Sequence, residues 1–200
     1  MPKIKLCGMM SLQDIETANR LMPDYVGFVF WPKSRRFIRP ENASEFIQNM
    51  PVRIPTVGVY VDASTELVAK MFKNDLINLA QLHGSEDESY IAELRRMCDV
   101  PIIKAFRIKG EADLEAAYKS TADYIMLDAG MGDGVTFNWD FLEGFNRPYF
   151  LAGGLTTENV GNAIKRLNPF CVDVSSGIET DGKKDPIKMT AFVNAVRNTL

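Results

Sequence analysis

Four kinds of site in this 200-residue chain combine residue types that could do chemistry together. Cys7 ends the apolar run "KIKLC" and precedes Gly8. Asp128 ends the run "YIML". Arg36 sits with Lys33 and Arg35 in the basic stretch "WPKSRR". Two glycine-rich tips, "LAGGLTTENV" and "VDVSSGIET", follow further apolar runs. A thiol beside positive charge can be lowered to a thiolate and act as base or nucleophile. An arginine fork grips a carboxylate with two parallel hydrogen bonds. Loops poor in side chains let backbone N–H groups approach an anion, and a following helix adds its dipole.

Each residue also has a plainer reading. A cysteine in an apolar strand is commonly a small core residue. An aspartate after a strand commonly forms a turn. Cys98, on a helix, and Cys171, at a strand start, take the plain reading, as does Asp123. Cys7 and Asp128 differ through position, because both close a strand at what should be one common rim. Asp173, flanked by Val172 and Val174, is expensive to bury unless hydrogen-bonded. Lys104, near a strand end, could form a Schiff base or pair with a carboxylate. His83 in "QLHG" could titrate or merely end its strand.

The elements that must position these residues are short β-branched runs alternating with amphipathic segments. Strands are predicted at 3–7, 25–30, 55–61, 78–82, 101–106, 123–128, 149–152 and 171–174. Helices are predicted at 11–21, 40–49, 64–73, 86–97, 111–119, 156–167 and 186–198, with at most a short helix around 138–144. Ser11 with Asp14 reads as a capping-box variant, and Ser64 and Thr156 start similar stretches. Apolar runs buried on both faces indicate a parallel sheet. Eight strand–helix units in 200 residues average 25 each, matching a compact (β/α)8 TIM barrel, a fold of about 250 residues with a lower limit near 200. A doubly wound open sheet is the rival, but no GxGxxG follows the first strand. The barrel puts functional groups at the C-terminal strand ends, with phosphate held after strands 7 and 8. That predicts a phosphorylated small ligand on the two glycine-rich tips. The stretch "AGMGDGVTF", with Gly130, Gly132 and Gly134, could close as a lid.

Composition narrows the classes. The net charge of −3 disfavours a dedicated nucleic-acid binder. Three dispersed cysteines without a CxxC argue against a disulfide framework and for a reducing cytoplasm. No apolar run approaches the ~18 residues of a membrane span, and "MPKIKLCG" is not a signal peptide. His83 is the only histidine, which rules out a multi-histidine metal site. One domain is expected over residues 1–200, and Met1 with a last helix ending near Leu200 reads as a free-standing protein.

Taken together, "KLCGMMSLQDI", "VGFVFWPKSRRFI", "VGVYVD", "QLHGSE", "IKAF", "MLDAG…GVTFNW", "LAGGLTTENV" and "VDVSSGIETDGKKDP" resemble the phosphoribosylanthranilate isomerase family of tryptophan biosynthesis. Their order and spacing agree over nearly the whole chain. The resemblance implies a (β/α)8 barrel that needs neither cofactor nor metal and performs an Amadori rearrangement. It makes Cys7 the general base and Asp128 the general acid, and puts Arg36 on the anthranilate carboxylate. It places the phosphate on the backbone around Gly153, Gly154, Ser176 and Gly177, and Asp173 near the ribose. The partner implied is one phosphorylated small molecule, with no nucleic acid and no membrane, for a cytoplasmic monomer or homodimer. Where the family often has a GGxGK/R-type stretch this chain reads "GMGDGVTF", with Val135 where a basic residue is common.

Three other readings carry different expectations. A Schiff-base aldolase would use Lys104. The related isomerase of histidine synthesis typically places aspartates at the tips of strands 1 and 5, where this chain has Cys7 and Arg107. A phosphate-ligand sensor would not need Cys7, Asp128 and Arg36 together.

Overall fold

The structure is a computed structural model and describes residues 1–50, 54–128, 139–142 and 144–199. Eight parallel strands close into a barrel in sequence order: β1 (Lys3–Cys7), β2 (Tyr25–Val29), β3 (Thr56–Tyr60), β4 (Leu79–Leu82), β5 (Ile102–Arg107), β6 (Tyr124–Asp128), β7 (Tyr149–Ala152) and β8 (Cys171–Val174). Closure comes from β1 on β8, with Lys3 opposite Cys171 and Lys5 opposite Asp173. The helices are α1 (Leu12–Leu21), α2 (Pro40–Gln48), α3 (Thr65–Lys73), α4 (Glu88–Met97), α5 (Glu111–Lys119), α6 (Val160–Leu167) and α7 (Pro186–Arg197). Among the described residues no helix is long and apolar enough to cross a membrane.

Side-chain parity explains why the strands read as continuous apolar runs. Alternate residues enter the barrel interior, where Val57, Ile103, Met126, Phe150 and Cys171 form one cluster. The residues between them, such as Leu6, Phe28, Tyr60, Leu82 and Leu127, pack outward in the larger core beneath the helices. Each large apolar side chain so buried contributes about 1.5–3 kcal/mol. Cys171 is part of the interior and Cys98 is half-buried at the end of α4, as their plain reading required. Asp123 is likewise structural: its carboxylate accepts the Ile102 N–H at 2.8 Å.

The helix starts follow local chemistry. Ser11 and Asp14 form the expected capping box, with the Asp14 N–H donating to Ser11 Oγ at 3.2 Å. Ser64 caps α3 through the Leu67 N–H at 3.3 Å. Two predicted helices begin later than expected. Helix α4 starts at Glu88 under an Asp87 cap, because Glu86 turns inward instead. Helix α6 starts at Val160, since the Asn159 side chain holds the preceding segment in a turn, accepting from the Thr156 N–H at 2.8 Å. The short helix expected at 138–144 is a 3-10 turn over Trp139–Leu142. A second 3-10 turn (Ser176–Ile178) and a hairpin of β9 (Glu179–Thr180) with β10 (Lys183–Lys184) follow the barrel's last strand.

Candidate active site

A cavity of about 340 Å³ opens at the C-terminal ends of the strands. Its wall carries Cys7, Arg36, His83, Arg107, Asp128, Gly153, Gly154, Asp173 and Ser176, together with Gln81, Ser175 and an apolar side of Val29, Trp31, Val59 and Val61. A second, mainly apolar cavity lies at the opposite end of the barrel, around Tyr25, Leu79 and Tyr124, away from these groups. Of the predicted site residues, seven of eight therefore line one cavity. Gly177 stands behind the wall: a Cβ there would lie 2.0 Å from the Leu155 carbonyl oxygen, so its role is to let the loops after β7 and β8 touch. The predicted lid, residues 129–136, lies outside the described residues.

Cys7 points its sulfur into the mouth because β1 and β2 run in register there, Cys7 opposite Gly27. A Cβ on Gly27 would come within 2.8 Å of that sulfur, so the neighbour must be glycine for the thiol to stand. Beneath it, Lys5 is fully buried and pairs with Asp173 at 2.8 Å. Burial pushes the Cys7 thiol above its ordinary value, although Lys5 and Lys184 both pull it down. Two cations do stand beside the thiol, but desolvation outweighs them.

Asp128 ends β6 opposite Arg107. Its Oδ2 lies 3.1 Å from His83 Nε2, and His83 Nδ1 lies 3.0 Å from the Gln81 amide nitrogen. His83 thus does more than end its strand: it joins Asp128 to a buried glutamine.

Arg36 is fixed before any ligand arrives. Its Nε and Nη2 meet the two oxygens of Glu179, which also accepts from Arg35 and from buried Lys184 at 2.7 Å. Lys184 continues to the Ser175 carbonyl at 2.9 Å, and Ser175 Oγ donates to the Cys7 carbonyl at 3.1 Å. Burial lowers the Lys184 ammonium pKa despite Glu179. The bidentate pair with Glu179 occupies one edge of the guanidinium and leaves the Nη1 side for a ligand carboxylate.

Sequence reasoning assigns no role to Glu179 and Lys184. The signal was the Asp181-Gly182 dipeptide between them, whose backbones both take positive φ, 50° and 77°. That is the tight-turn signature of a two-residue hairpin, and it turns "ET" and "KK" back against the Arg36 loop.

Lys104 departs from the aldolase expectation. It faces outward from the barrel, bound to Glu86 at 3.1 Å and to the Gly84 carbonyl at 2.9 Å. Glu86 also accepts the Asp62 and Gly84 N–H groups, both at 2.8 Å. This lysine braces the tips of β4 and β5 and does not line the cavity.

On the two glycine-rich tips, Gly153 and Gly154 have φ of 93° and 65°, a conformation that glycine adopts without strain. Asn159 donates to the Gly154 carbonyl at 2.9 Å, which turns that oxygen toward α6 and away from an anion. Together with Ser176 these groups make a small, open, backbone-lined corner.

Comparison with known proteins agrees with this geometry. The family model described as N-(5'-phosphoribosyl)anthranilate (PRA) isomerase matches residues 4–195. A relative from Endomicrobium trichonymphae, named N-(5'-phosphoribosyl)anthranilate isomerase, is 41% identical over 203 residues, covering 99% of this chain and 100% of its own. The crystal structure of phosphoribosyl anthranilate isomerase from Thermotoga maritima superposes with a TM-score of 0.89 at 34% identity, covering 98% of this chain and 99% of that one. A phosphoribosyl anthranilate isomerase in complex with reduced 1-(o-carboxyphenylamino)-1-deoxyribulose 5-phosphate gives 0.86 at 34% identity, with the same two coverages. With a match this complete in sequence and overall fold, the chain belongs to the N-(5'-phosphoribosyl)anthranilate isomerase family.

Proposed function

We propose that this chain isomerises N-(5-phosphoribosyl)anthranilate to 1-(2-carboxyphenylamino)-1-deoxyribulose 5-phosphate in L-tryptophan biosynthesis, with Asp128 as general acid and Cys7 as general base. One observation carries the residue roles: a thiol and a carboxyl share a single cavity wall with an arginine and a glycine-rich backbone corner. The phosphate lies on the backbone of Gly153, Gly154 and Ser176. The anthranilate ring lies against Trp31, Val29 and Val59, its carboxylate on the outer edge of Arg36. Asp173 accepts from a ribose hydroxyl.

Asp128 gives its proton to the furanose ring oxygen as the C1′–O bond breaks. The substrate's nitrogen lone pair forms the C=N bond, so the substrate is its own electron sink. The Cys7 thiolate then takes the C2′ proton. The released electron pair forms C1′=C2′ and neutralises the iminium. The enolamine tautomerises to the ketone, C1′ gaining a proton and the C2′ hydroxyl losing one. Reference values of ~3.9 for aspartate and ~8.5 for cysteine would put a shared proton on sulfur. The reacting form has it on the carboxyl, which is why Lys5 and Lys184 beneath the sulfur matter. General acid–base steps of this kind contribute about 10²–10⁴-fold each.

Three free cysteines fit a reducing cytoplasm, where we place the enzyme. The test is rescue of a bacterial strain that requires tryptophan because it lacks this isomerase. Growth without tryptophan is expected from the wild-type chain, and failure of a well-expressed, folded chain to rescue overturns the reading.

A further inference from the structure

The geometry points to Gln81 as a positioning residue that fixes the proton of His83 on Nε2 and thereby aims Asp128. This deepens the isomerase reading and rests on it for its catalytic consequence, though not for its structural one. Gln81 is 1% exposed, on the inward face of β4 where it forms part of the cavity wall. Its amide nitrogen faces two groups at once, Met126 Sδ at 3.3 Å and His83 Nδ1 at 3.0 Å. Among the described residues its amide oxygen has no hydrogen-bond partner.

The order of constraint starts at the methionine. A thioether sulfur accepts weakly and cannot donate. The amide atom turned toward Met126 is therefore the NH2 and not the oxygen. The same NH2 then faces His83 Nδ1, which must accept and so carries no proton. A neutral imidazole has one N–H, so it stands on Nε2 and donates to Asp128 Oδ2 across 3.1 Å. With Oδ2 accepting from His83, the transferable proton of the carboxyl resides on its other oxygen. The reverse amide orientation would put hydrogen on Nδ1 and a bare Nε2 against Asp128. The carboxyl proton would then be drawn to the histidine and away from the substrate. The Gln81 oxygen, unpartnered among the described residues, is the mark of an amide whose orientation is set by its nitrogen's neighbours.

His83 is the only histidine in the chain, so one pair of imidazole nitrogen signals reports the whole argument. With 15N-histidine-labelled protein at neutral pH and no substrate, the one-bond 15N–1H coupling should assign the proton to Nε2 and leave Nδ1 bare. A proton on Nδ1, alone or with Nε2 also protonated, overturns the inference. In Gln81→Met the preference for Nε2 should be lost, with kcat falling about 10-fold or more and KM within a few-fold. In Gln81→Glu the carboxylate should draw the proton to Nδ1, with at least the same fall in kcat. A folded Gln81→Met that keeps both the Nε2 tautomer and wild-type kcat overturns it equally. Should neither variant fold, the wild-type spectrum decides alone. A wild-type chain with no isomerase activity would sink the functional reading and leave the tautomer result standing.

Discussion

Arg36 and Glu179 meet fork to fork at the barrel mouth, Nε 2.5 Å from Oε1 and Nη2 2.9 Å from Oε2. The guanidinium is 19% exposed and the carboxylate 4%, so this pair is largely removed from solvent screening. Charge-assisted hydrogen bonds are worth about 1.5–3 kcal/mol, and here they fix the residue that would receive the substrate carboxylate. Glu179→Gln should raise KM about 10-fold while kcat changes little, measured by steady-state kinetics. Arg36→Lys, which cannot present the planar fork, should raise KM further. An unchanged KM in both variants would remove Arg36 from the binding site.

Glu179 also makes this corner sensitive to acid. Burial would raise its carboxyl, but the hydrogen bonds from Arg36 and Lys184 hold it below the ordinary glutamate range. A depressed folded-state value means its contribution to stability is complete above the unfolded pKa of about 4.3 and is lost progressively as pH falls below that. The stability advantage of wild type over Glu179→Gln should stay level from neutrality to about pH 4.3 and shrink beneath it. Urea unfolding at a series of pH values measures this, and a gap that widens in acid contradicts it.

Lys5 and Asp173 form the other buried pair, and Lys5 has no exposed surface. Burial disfavours its charge, but Asp173 and Cys7 raise its pKa on balance, so the lysine is charged inside the barrel. Lys5→Met would strand the carboxylate and should cost about 3–5 kcal/mol of unfolding free energy. Lys5→Met/Asp173→Leu should recover most of that loss while abolishing activity. A single variant costing under about 1 kcal/mol would show that water already solvates the pair.

Features of this chain governed by short-range rules are readable from its sequence. The period of the apolar runs gave eight strands within a residue or two of their positions, because burial on both faces leaves an unmistakable run. Ser11 and Asp14 announced their cap through spacing alone. The glycine tips and the ends of β1 and β6 were found because the barrel places all strand ends on one rim. What sequence did not yield were partnerships across the barrel. Lys5 with Asp173, and Arg36 with Glu179, are separated by 168 and 143 residues, and no local pattern couples them. For Lys104 the sequence leaves a Schiff base and a carboxylate pair both open; the pair is what forms, because the alternation that turns Ile103 and Ala105 into the barrel turns Lys104 outward to Glu86. The Cys7 thiol showed that identifying nearby cations does not fix the sign of a shift when the group is buried.

The buried Cys7 thiol should be a slow nucleophile. With its pKa raised, Cys7 is protonated at neutral pH and alkylates slowly. Its reaction with iodoacetamide should accelerate only above the ordinary thiol range near 8.5, as read by mass spectrometry of the Cys7 peptide. Lys5→Met removes a cation that favours the thiolate and should move the onset still higher. Rapid modification of Cys7 at pH 6–7, well below the ordinary thiol value, would contradict the assigned environment.

The most direct trial of the proposed mechanism is turnover of N-(5-phosphoribosyl)anthranilate by purified wild type, Cys7→Ser and Asp128→Asn. Loss of either proton carrier should lower kcat by at least ~10² while KM stays near that of wild type. Folded variants that keep kcat within a few-fold of wild type would contradict the account.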